Sequence, residues 1–273
     1  YSCIAAVDYI TASYAALELT VLHLGRFIQD LQFWTAFEVG QIYVPNALVQ
    51  ISSIMPQKRN PVPIEHMRHL CSQTVGRARV MLDIMHNTPF TDMNDSEGES
   101  QEAGYQAFDS AGRVLRLLAA FVAQMQVDVT RVAHNIRRSC ITITELADTL
   151  VRREGLSFRA AHEIAAHVAR AVVAAGSDLP TGGYAPFCAA FAAATGQAPA
   201  LSEAEFQRII SPEYFVSVRD RFGGPAPDAL AEALADYRAR LAGFAADAAA
   251  FSQAEAAAAN LLAHSFQSLV EAA

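Results

Sequence analysis

Residues 2–39 read SCIAAVDYITASYAALELTVLHLGRFIQDLQFWTAFEV, with one glycine and no proline. Apolar residues recur in alternating steps of four and three at Cys3, Val7, Ile10, Tyr14, Leu17, Val21, Leu24, Ile28 and Leu31. A strict heptad of this length is typical of a long helix in coiled-coil-like packing. At 1.5 Å per residue, the predicted helix is about 55 Å long. We expect it to end at Gly40.

Two more heptads follow and predict two further long helices. The second runs through Ile64, Met67, Cys71, Thr74, Ala78, Met81 and Met85, and the third through Phe108, Ala111, Leu115, Leu118, Val122 and Met125. Shorter helices are predicted near 129–136, 144–153, 158–175, 186–195, 202–209 and 226–269. No strand pattern of useful length is present. The sequence therefore predicts an all-α fold, a long-helix bundle with a small C-terminal helical domain.

The changes in helix length suggest a division into domains. We place the bundle domain at residues 1–127, the small helical domain at 128–225 and a C-terminal helix or extension at 226–273. The chain begins at Tyr1, inside what already reads as a helix. We therefore expect it to be part of a longer polypeptide, with the N-terminal part of the bundle domain missing.

Composition narrows the class of protein. The chain is 52% hydrophobic and 18% charged, which excludes a disordered tail. Its net charge of −8 argues against a surface for nucleic acid. No apolar run is long enough to span a bilayer. The four cysteines are far apart and form no C-x-x-C pair, which is typical of reduced thiols. We expect a cytoplasmic protein without nucleic-acid or membrane partners.

A polar loop, residues 52–61, lies between the first two heptads and reads SSIMPQKRNP. Pro56 and Pro61 fix their own φ and lack an N–H, so the loop resists absorption into a helix. Two hydroxyls, a cation and an amide are thus held between rigid helices, where chemistry is often placed. The plainer interpretation is that the serines close a turn and that Lys58 and Arg59 are solvated charges.

This loop resembles the signature of the fumarase/aspartase superfamily, Gly-Ser-Ser-x-Met-Pro-x-Lys-x-Asn-Pro. Only Ile51 departs from the pattern, because it stands where the family has glycine. The helix after the loop also resembles the family, with Glu65 and Arg68 in register. Residues 144–152 (TELADTLVR) and 158–163 (FRAAHE) resemble the small C-terminal domain of argininosuccinate lyase. The Lys-Arg-Asn sequence of the loop also occurs in adenylosuccinate lyase-like members.

The resemblance implies a β-elimination that releases fumarate from an N-substituted aspartate, argininosuccinate or a similar compound. It assigns the general base to Ser52, whose weakly acidic hydroxyl would need backbone N–H groups to stabilise its alkoxide. Ser53, Lys58 and Asn60 are implied to bind the substrate. Glu65 is implied to orient a catalytic histidine, which the resemblance places N-terminal to Tyr1. The plainer alternative pairs Glu65 with Arg68 or His69 on its own helix.

Residues 90–97 correspond to the family loop that recognises the distal end of the substrate. In the alignment that we favour, Asn94 replaces a glutamine and is a candidate substrate ligand, while Glu97 replaces a lysine. A reversal of charge in a recognition site changes which leaving group is tolerated. The resemblance therefore implies the reaction type more firmly than the substrate.

Further implications concern partners. Family members use no cofactor, act on small dicarboxylates and form homotetramers whose active sites are shared between subunits. His66 and His69, three residues apart, have no matching cluster elsewhere, so we expect no metal. Two alternatives stay open. One is a lyase acting on another succinyl compound, either adenylosuccinate-like or by C–O elimination. The other is a catalytically silent helical scaffold.

Overall fold

The computed structural model describes residues 5–91 and 98–272. The contacts divide the chain into two compact units, Tyr1–Asn135 and Ile136–Ala273. Each unit is described separately below. In the described part of the chain, no helix combines the length and the apolar character needed to cross a membrane.

Three long helices and two short strand pairs form unit 1. In chain order its elements are α1 (Asp8–Thr35), β1 (Ile42–Tyr43), a 3-10 turn (Asn46–Leu48), β2 (Gln50–Ile51), β3 (Arg59–Asn60), α2 (Val62–Met85), a second 3-10 turn (Gly98–Gln101), α3 (Glu102–Gln124), β4 (Gln126–Val127) and the start of α4 (Val129–Ser139). Strand β1 pairs with β4, and β2 pairs with β3, both antiparallel. The described helices confirm the all-α prediction, and the strands are too short to produce a period-two pattern.

Helix α2 packs against both α1 and α3, so it is the middle helix of the bundle. All seven positions of its heptad are buried, which confirms the predicted stripe. Thr74 is the polar member of that stripe. Its hydroxyl donates a hydrogen bond of 2.8 Å to the buried Ser110 of α3, so the pair ties the two helices together without an unsatisfied polar group.

The predicted heptad of α3 shares Ala111 and Leu118 with the stripe that the fold buries, but three of its other positions lie one residue beyond that stripe. The buried positions are Gly104, Ala107, Ser110, Ala111, Val114, Leu118 and Phe121. Phe108, Leu115 and Val122, which the prediction placed in the core, are 51%, 52% and 41% exposed. The prediction was wrong at these three positions because α3 carries two adjacent apolar stripes, and only one faces α2.

Helix α1 is shorter than predicted. It ends at Thr35, and Ala36 leaves the helical region with a ψ of 142°. Gly40 instead closes the following turn, with a φ of 60° and an N–H that donates to Ala36 O at 2.7 Å. A glycine adopts this left-handed conformation without steric cost, so Gly40 marks the turn after the helix.

Unit 2 is built from shorter helices. They are α5 (Ile143–Glu154), α6 (Phe158–Ala174), α7 (Leu179–Gly182), α8 (Tyr184–Thr195), α9 (Glu203–Ile209), α10 (Pro212–Ser217) and α11 (Pro227–Ala272). The longer helices match the predicted segments to within a few residues. Helices α7 and α10 were missed because six residues or fewer give too little periodicity to detect.

The core of unit 2 is a cluster of buried aliphatic and aromatic side chains. Leu146 and Leu150 of α5 meet Ile164 and Val168 of α6 there. Phe187 and Phe206 stack with ring centroids 5.4 Å apart. Offset aromatic contacts of this kind add to the stabilisation from burial alone.

Helix α9 begins with a complete capping box. Ser202 Oγ accepts from the Glu205 N–H, and Glu205 Oε2 accepts from the Ser202 N–H at 3.0 Å. Arg153 also donates to Glu205 Oε1 at 2.8 Å. This hydrogen bond from Arg153, followed by those from Ser202, lowers the pKa of Glu205 from 4.5 to about 2. Because its charged form is favoured only in the folded state, Glu205 stabilises unit 2 above the unfolded-state pKa.

We therefore expect the contribution of Glu205 to disappear as the pH falls from about 4.5 to about 2. Thermal unfolding of the parent and Glu205→Gln proteins should be compared by circular dichroism across this range. The parent should be the more stable at pH 6, and the two melting temperatures should converge toward pH 2. A difference that stays constant with pH would contradict the assignment.

Candidate functional site

The polar loop is the tip of a β-hairpin. Gln50 pairs with Asn60, and Ile51 pairs with Arg59. The next residues along the two strands, Ser52 and Lys58, are therefore the first and last residues of the loop and lie at its base. The Lys58 N–H donates to Met55 O at 3.0 Å and closes a turn inside the loop.

Ser52 has the local environment that the proposed base requires. Its Oγ accepts hydrogen bonds from the backbone N–H groups of Ile54 at 3.2 Å and Met55 at 3.1 Å. Two donors aimed at one oxygen stabilise negative charge on that oxygen. The same contacts also form the local turn of the plainer interpretation. Both roles follow from one geometry, so a mutation must separate them.

The side chain of Ile51 is accommodated without backbone strain. Ile51 lies in β2 and is 75% exposed. Among the described non-glycine residues, Cys140 alone has a positive φ. The hairpin at position 51 therefore does not need the left-handed conformation that would favour the glycine of the family pattern.

A cleft of about 670 Å³ lies beside this hairpin and gathers three of the predicted site residues, Lys58, Asn60 and Glu65. Ser52 and Ser53 do not line this cleft. The cleft walls come from the end of α1, from β1, from the hairpin and from the start of α2. The cleft therefore brings together a cation and an amide of the hairpin and a carboxylate of the helix that follows it.

Glu65 projects from the first turn of α2 and is exposed. Within residues 5–91 and 98–272, it forms no ion pair with Arg68 or His69, the partners of the plainer interpretation. Its carboxylate is therefore available to a group outside the described chain.

Arg59 has a structural role, as its neighbours show. Its guanidinium donates to Asn46 Oδ1 at 2.6 Å and to Val44 O at 2.7 Å. It also lies over the ring of Tyr43, 4.9 Å from the centroid. These contacts fasten β3 to the segment before the hairpin and so fix the position of Lys58 and Asn60 on either side.

The sequence did not single out Gln32 and Asp128, which also line the cleft. Gln32 Oε1 is buried and has no hydrogen-bond partner among the described residues. A polar residue inside the apolar pattern of α1 was the available signal. Asp128 Oδ1 accepts from the Arg131 N–H at 2.9 Å and so caps α4, which is a sufficient structural reason for an aspartate at this position.

Two predicted features remain to be placed. Asn94 lies outside the described residues, and so does Glu97. In the described ranges, no group of three or more His, Cys, Asp or Glu side chains is arranged to hold a metal ion. His66 and His69 instead line a groove with Arg113 and Arg116.

Family models match two separate parts of the chain. A model described as lyase matches residues 1–76, which contain α1 and the hairpin. A model described as argininosuccinate lyase C-terminal matches residues 140–217, within unit 2. The two matches are separate in sequence and point to one kind of protein.

Relatives agree with these models. The chain is 67% identical over 272 residues to argininosuccinate lyase 2 of Agrobacterium fabrum, covering 100% of this chain and 54% of that protein. It is 33% identical to argininosuccinate lyase of Azotobacter vinelandii, covering 86% of this chain and 48% of the relative. The chain therefore spans about half the length of the curated relatives it matches.

Solved structures have the same fold. An EDDS lyase variant with bound fumarate superposes with a TM-score of 0.87 at 25% identity, over 99% of this chain and 54% of that one. A 3-carboxy-cis,cis-muconate lactonizing enzyme from Pseudomonas putida has a TM-score of 0.54 at 21% identity, over 77% of this chain and 45% of that one. Together with the signature loop, these findings show that the chain belongs to the fumarase/aspartase superfamily and is argininosuccinate lyase-like.

Proposed function

We propose that the protein containing this chain is a carbon–nitrogen lyase that releases fumarate from an N-substituted aspartate, argininosuccinate or a compound like it. One observation carries the proposal. Lys58, Asn60 and Glu65 line a single cleft beside the hairpin whose loop begins at Ser52. The 67% identity to an argininosuccinate lyase supports the choice of substrate class.

The proposed chemistry is an elimination with defined charges. Ser52 as its alkoxide takes a proton from the carbon next to one substrate carboxylate, and negative charge develops on that carboxylate. The C–N bond then breaks, its electron pair leaves with nitrogen, and the carbon–carbon double bond of fumarate forms. An acid protonates the departing nitrogen.

Each of the candidate site residues has a proposed role in this elimination. The N–H groups of Ile54 and Met55 stabilise the Ser52 alkoxide. Lys58 faces the charge that develops on the substrate carboxylate, and Asn60 donates hydrogen bonds to it. We propose Ser53 and Asn94 as further substrate ligands. Glu65 orients a histidine supplied from outside this chain, the role that the family resemblance implies for this carboxylate.

A homotetramer is the proposed assembly. Apolar side chains remain exposed on the outer faces of unit 1, including Leu19 and Phe33 on α1 and Phe108 and Leu115 on α3. Exposed stripes on long helices are covered when copies pack together. Shared active sites would also bring the missing histidine to Glu65. We further propose a cytoplasmic location, a role in arginine biosynthesis and catalysis without a cofactor.

The alternatives differ in their products. A lyase acting on another succinyl compound would also release fumarate. The EDDS lyase variant, which has the same fold, was solved with fumarate bound. A silent scaffold would release none. The retention of Ser52, Lys58, Asn60 and Glu65 together favours an enzyme, because a scaffold has no need of this set.

The test is fumarate formation by the full-length protein, followed by ultraviolet absorbance. The substrates offered are argininosuccinate, adenylosuccinate, aspartate, malate and a panel of N-substituted aspartates. Fumarate from argininosuccinate is the expected result. Fumarate only from another compound would indicate that the loop at residues 90–97 recognises a different leaving group. No fumarate from any substrate would overturn the proposal in favour of the scaffold.

A further inference from the structure

Helix α11 of unit 2 leaves most of its length uncovered. The 46-residue helix has its buried positions only near its start, at Ala229 and Ala233. From Leu234 onward its described side chains are exposed, except for the half-buried Asp236. Large apolar groups are among them, for example Leu241 at 67% and Phe251 at 72% exposure. Contiguous apolar surface of this kind marks an interaction site.

A heptad runs along α11 and contains its large exposed apolar residues from Leu230 to Phe251, with the polar Glu255 and Ser265 farther along. Steps of four and three alternate through Leu230, Leu234, Tyr237, Leu241, Phe244, Ala248, Phe251, Glu255, Ala258, Leu262, Ser265 and Leu269. On a helix, these positions form one narrow seam. A seam with this period packs against another helix whose apolar residues recur with the same period, knobs into holes. The α11 helix of a second copy of the chain has that period.

We propose that α11 pairs with α11 of a second copy in an antiparallel coiled coil centred between Ala242 and Gly243. In this register, Leu241 packs against Phe244 of the second copy, and Leu234 packs against Phe251. Tyr237 meets the small Ala248, so large and small side chains alternate across the seam. The proposal does not depend on the proposed lyase activity.

Charges beside the seam favour this register and orientation. Arg240 and Asp247 both flank the seam on the same side, in positions where coiled coils form interhelical ion pairs. Within one copy, Arg240 already forms an ion pair with Asp236 of its own helix. The proposed register brings Arg240 of each copy near Asp247 of the other, which gives each Arg240 a second acidic partner. A shift of one heptad would place Asp247 against its own equivalent. The proposed register places Glu255 against Leu230, whereas a parallel pair would place Glu255 against Glu255 inside the seam, which is worse because the two like charges repel.

The surface available is sufficient for a stable pair. Tyr237, Phe244 and Phe251 are 56%, 69% and 72% exposed. Burying the exposed part of these three side chains removes roughly 300–500 Å² from solvent on each helix. The exposed leucines of the seam raise this total toward the ~800 Å² per partner that is typical of specific interfaces.

The first experiment measures the mass of the full chain by sedimentation equilibrium. The test variant Phe244→Glu with Phe251→Glu places two carboxylates in the seam. The matched control Ala246→Glu with Gln253→Glu adds the same charges, seven residues apart, on the opposite face. We expect the test variant to weaken association at least tenfold and the control to leave it unchanged, with the helix content of both preserved by circular dichroism. Equal association of the two variants would overturn the proposal.

The second experiment fixes the partner and the orientation. Two differently tagged copies are mixed, one carrying Leu241→Cys and the other Phe244→Cys. The proposed antiparallel pair predicts an intermolecular disulfide between positions 241 and 244, identified by mass spectrometry. A disulfide between two copies of Leu241→Cys would indicate a parallel pair and overturn the register. Absence of any disulfide at these positions would overturn pairing with a second copy and leave the seam for another part of the longer polypeptide.

Discussion

Replacement of Ser52 with alanine is expected to lower kcat of the full-length protein by roughly 10²- to 10⁴-fold, the usual contribution of a positioned general base. The hydroxyl is the only group that the variant removes. Two backbone N–H groups, from Ile54 and Met55, converge on this oxygen. The assay is fumarate release on the substrate that the parent enzyme uses.

The alanine variant also removes the acceptor of a local turn, so a second variant is needed. In Ser52→Asn, the side-chain oxygen can still accept from the N–H groups two and three residues on and keep the turn. It cannot supply an alkoxide. We expect Ser52→Asn to retain the hairpin and the thermal stability of the parent, yet to be as inactive as Ser52→Ala.

A matched control is available on α2. Ser72 is exposed, and its hydroxyl donates to Arg68 O of its own helix, its one side-chain hydrogen bond among the described residues. Ser72→Ala should keep full activity. If Ser52→Asn also proved fully active, the hydroxyl would have no role in proton transfer, and the turn interpretation would be correct.

The hydrophobic pattern predicted the bundle because helix packing is local in sequence. Where a helix has neighbours on both sides within the chain, as α2 does, its heptad coincides with the buried stripe. Helix α3 carries a second apolar stripe containing Phe108 and Leu115. Periodicity alone cannot decide which of two adjacent stripes faces the same chain, so the predicted heptad mixed positions of the exposed stripe with positions of the buried one.

The motif predicted which residues belong to the candidate site, but it did not predict how they are arranged in space. The resemblance assigned roles to Ser52, Lys58, Asn60 and Glu65, and the fold places the last three in one cleft. The hairpin that presents the loop consists of two-residue strands, which are too short to give a strand pattern. The contacts that hold Arg59 join residues 13 and 15 positions apart, and no local signal encodes them.

In unit 2, the motif residues form an ion network that the sequence did not reveal. Glu145 is 1% exposed and accepts from Arg152 and, at 3.1 Å, from Arg219. Arg219 also donates to Phe215 O at 2.6 Å, and its guanidinium lies over the Phe215 ring. Residues 144–152 were recognised only by resemblance. The structure supplies a physical reason for them, since a buried carboxylate requires charged partners.

Arg219→Met is expected to destabilise unit 2 by about 1–3 kcal/mol, because the buried Glu145 loses its less exposed partner and keeps only Arg152 as an ion-pair partner. Arg152 is 55% exposed and cannot compensate fully, whereas Arg219 is 29% exposed. The expected fall in melting temperature is on the order of 10 °C. Urea and thermal unfolding, followed by far-ultraviolet circular dichroism, provide the measurement.

A second substitution tests the cause, because it should act in the opposite direction. Adding Glu145→Met to Arg219→Met removes the buried charge, and an apolar replacement of a buried ion pair is often neutral or stabilising. The double variant should therefore be more stable than Arg219→Met, although it lacks one more native side chain. The chain's single tryptophan, Trp34, lies in unit 1, so its fluorescence provides an internal reference for unit 1. If Glu145→Met made Arg219→Met still less stable, loss of packing rather than an unpaired carboxylate would be the cause.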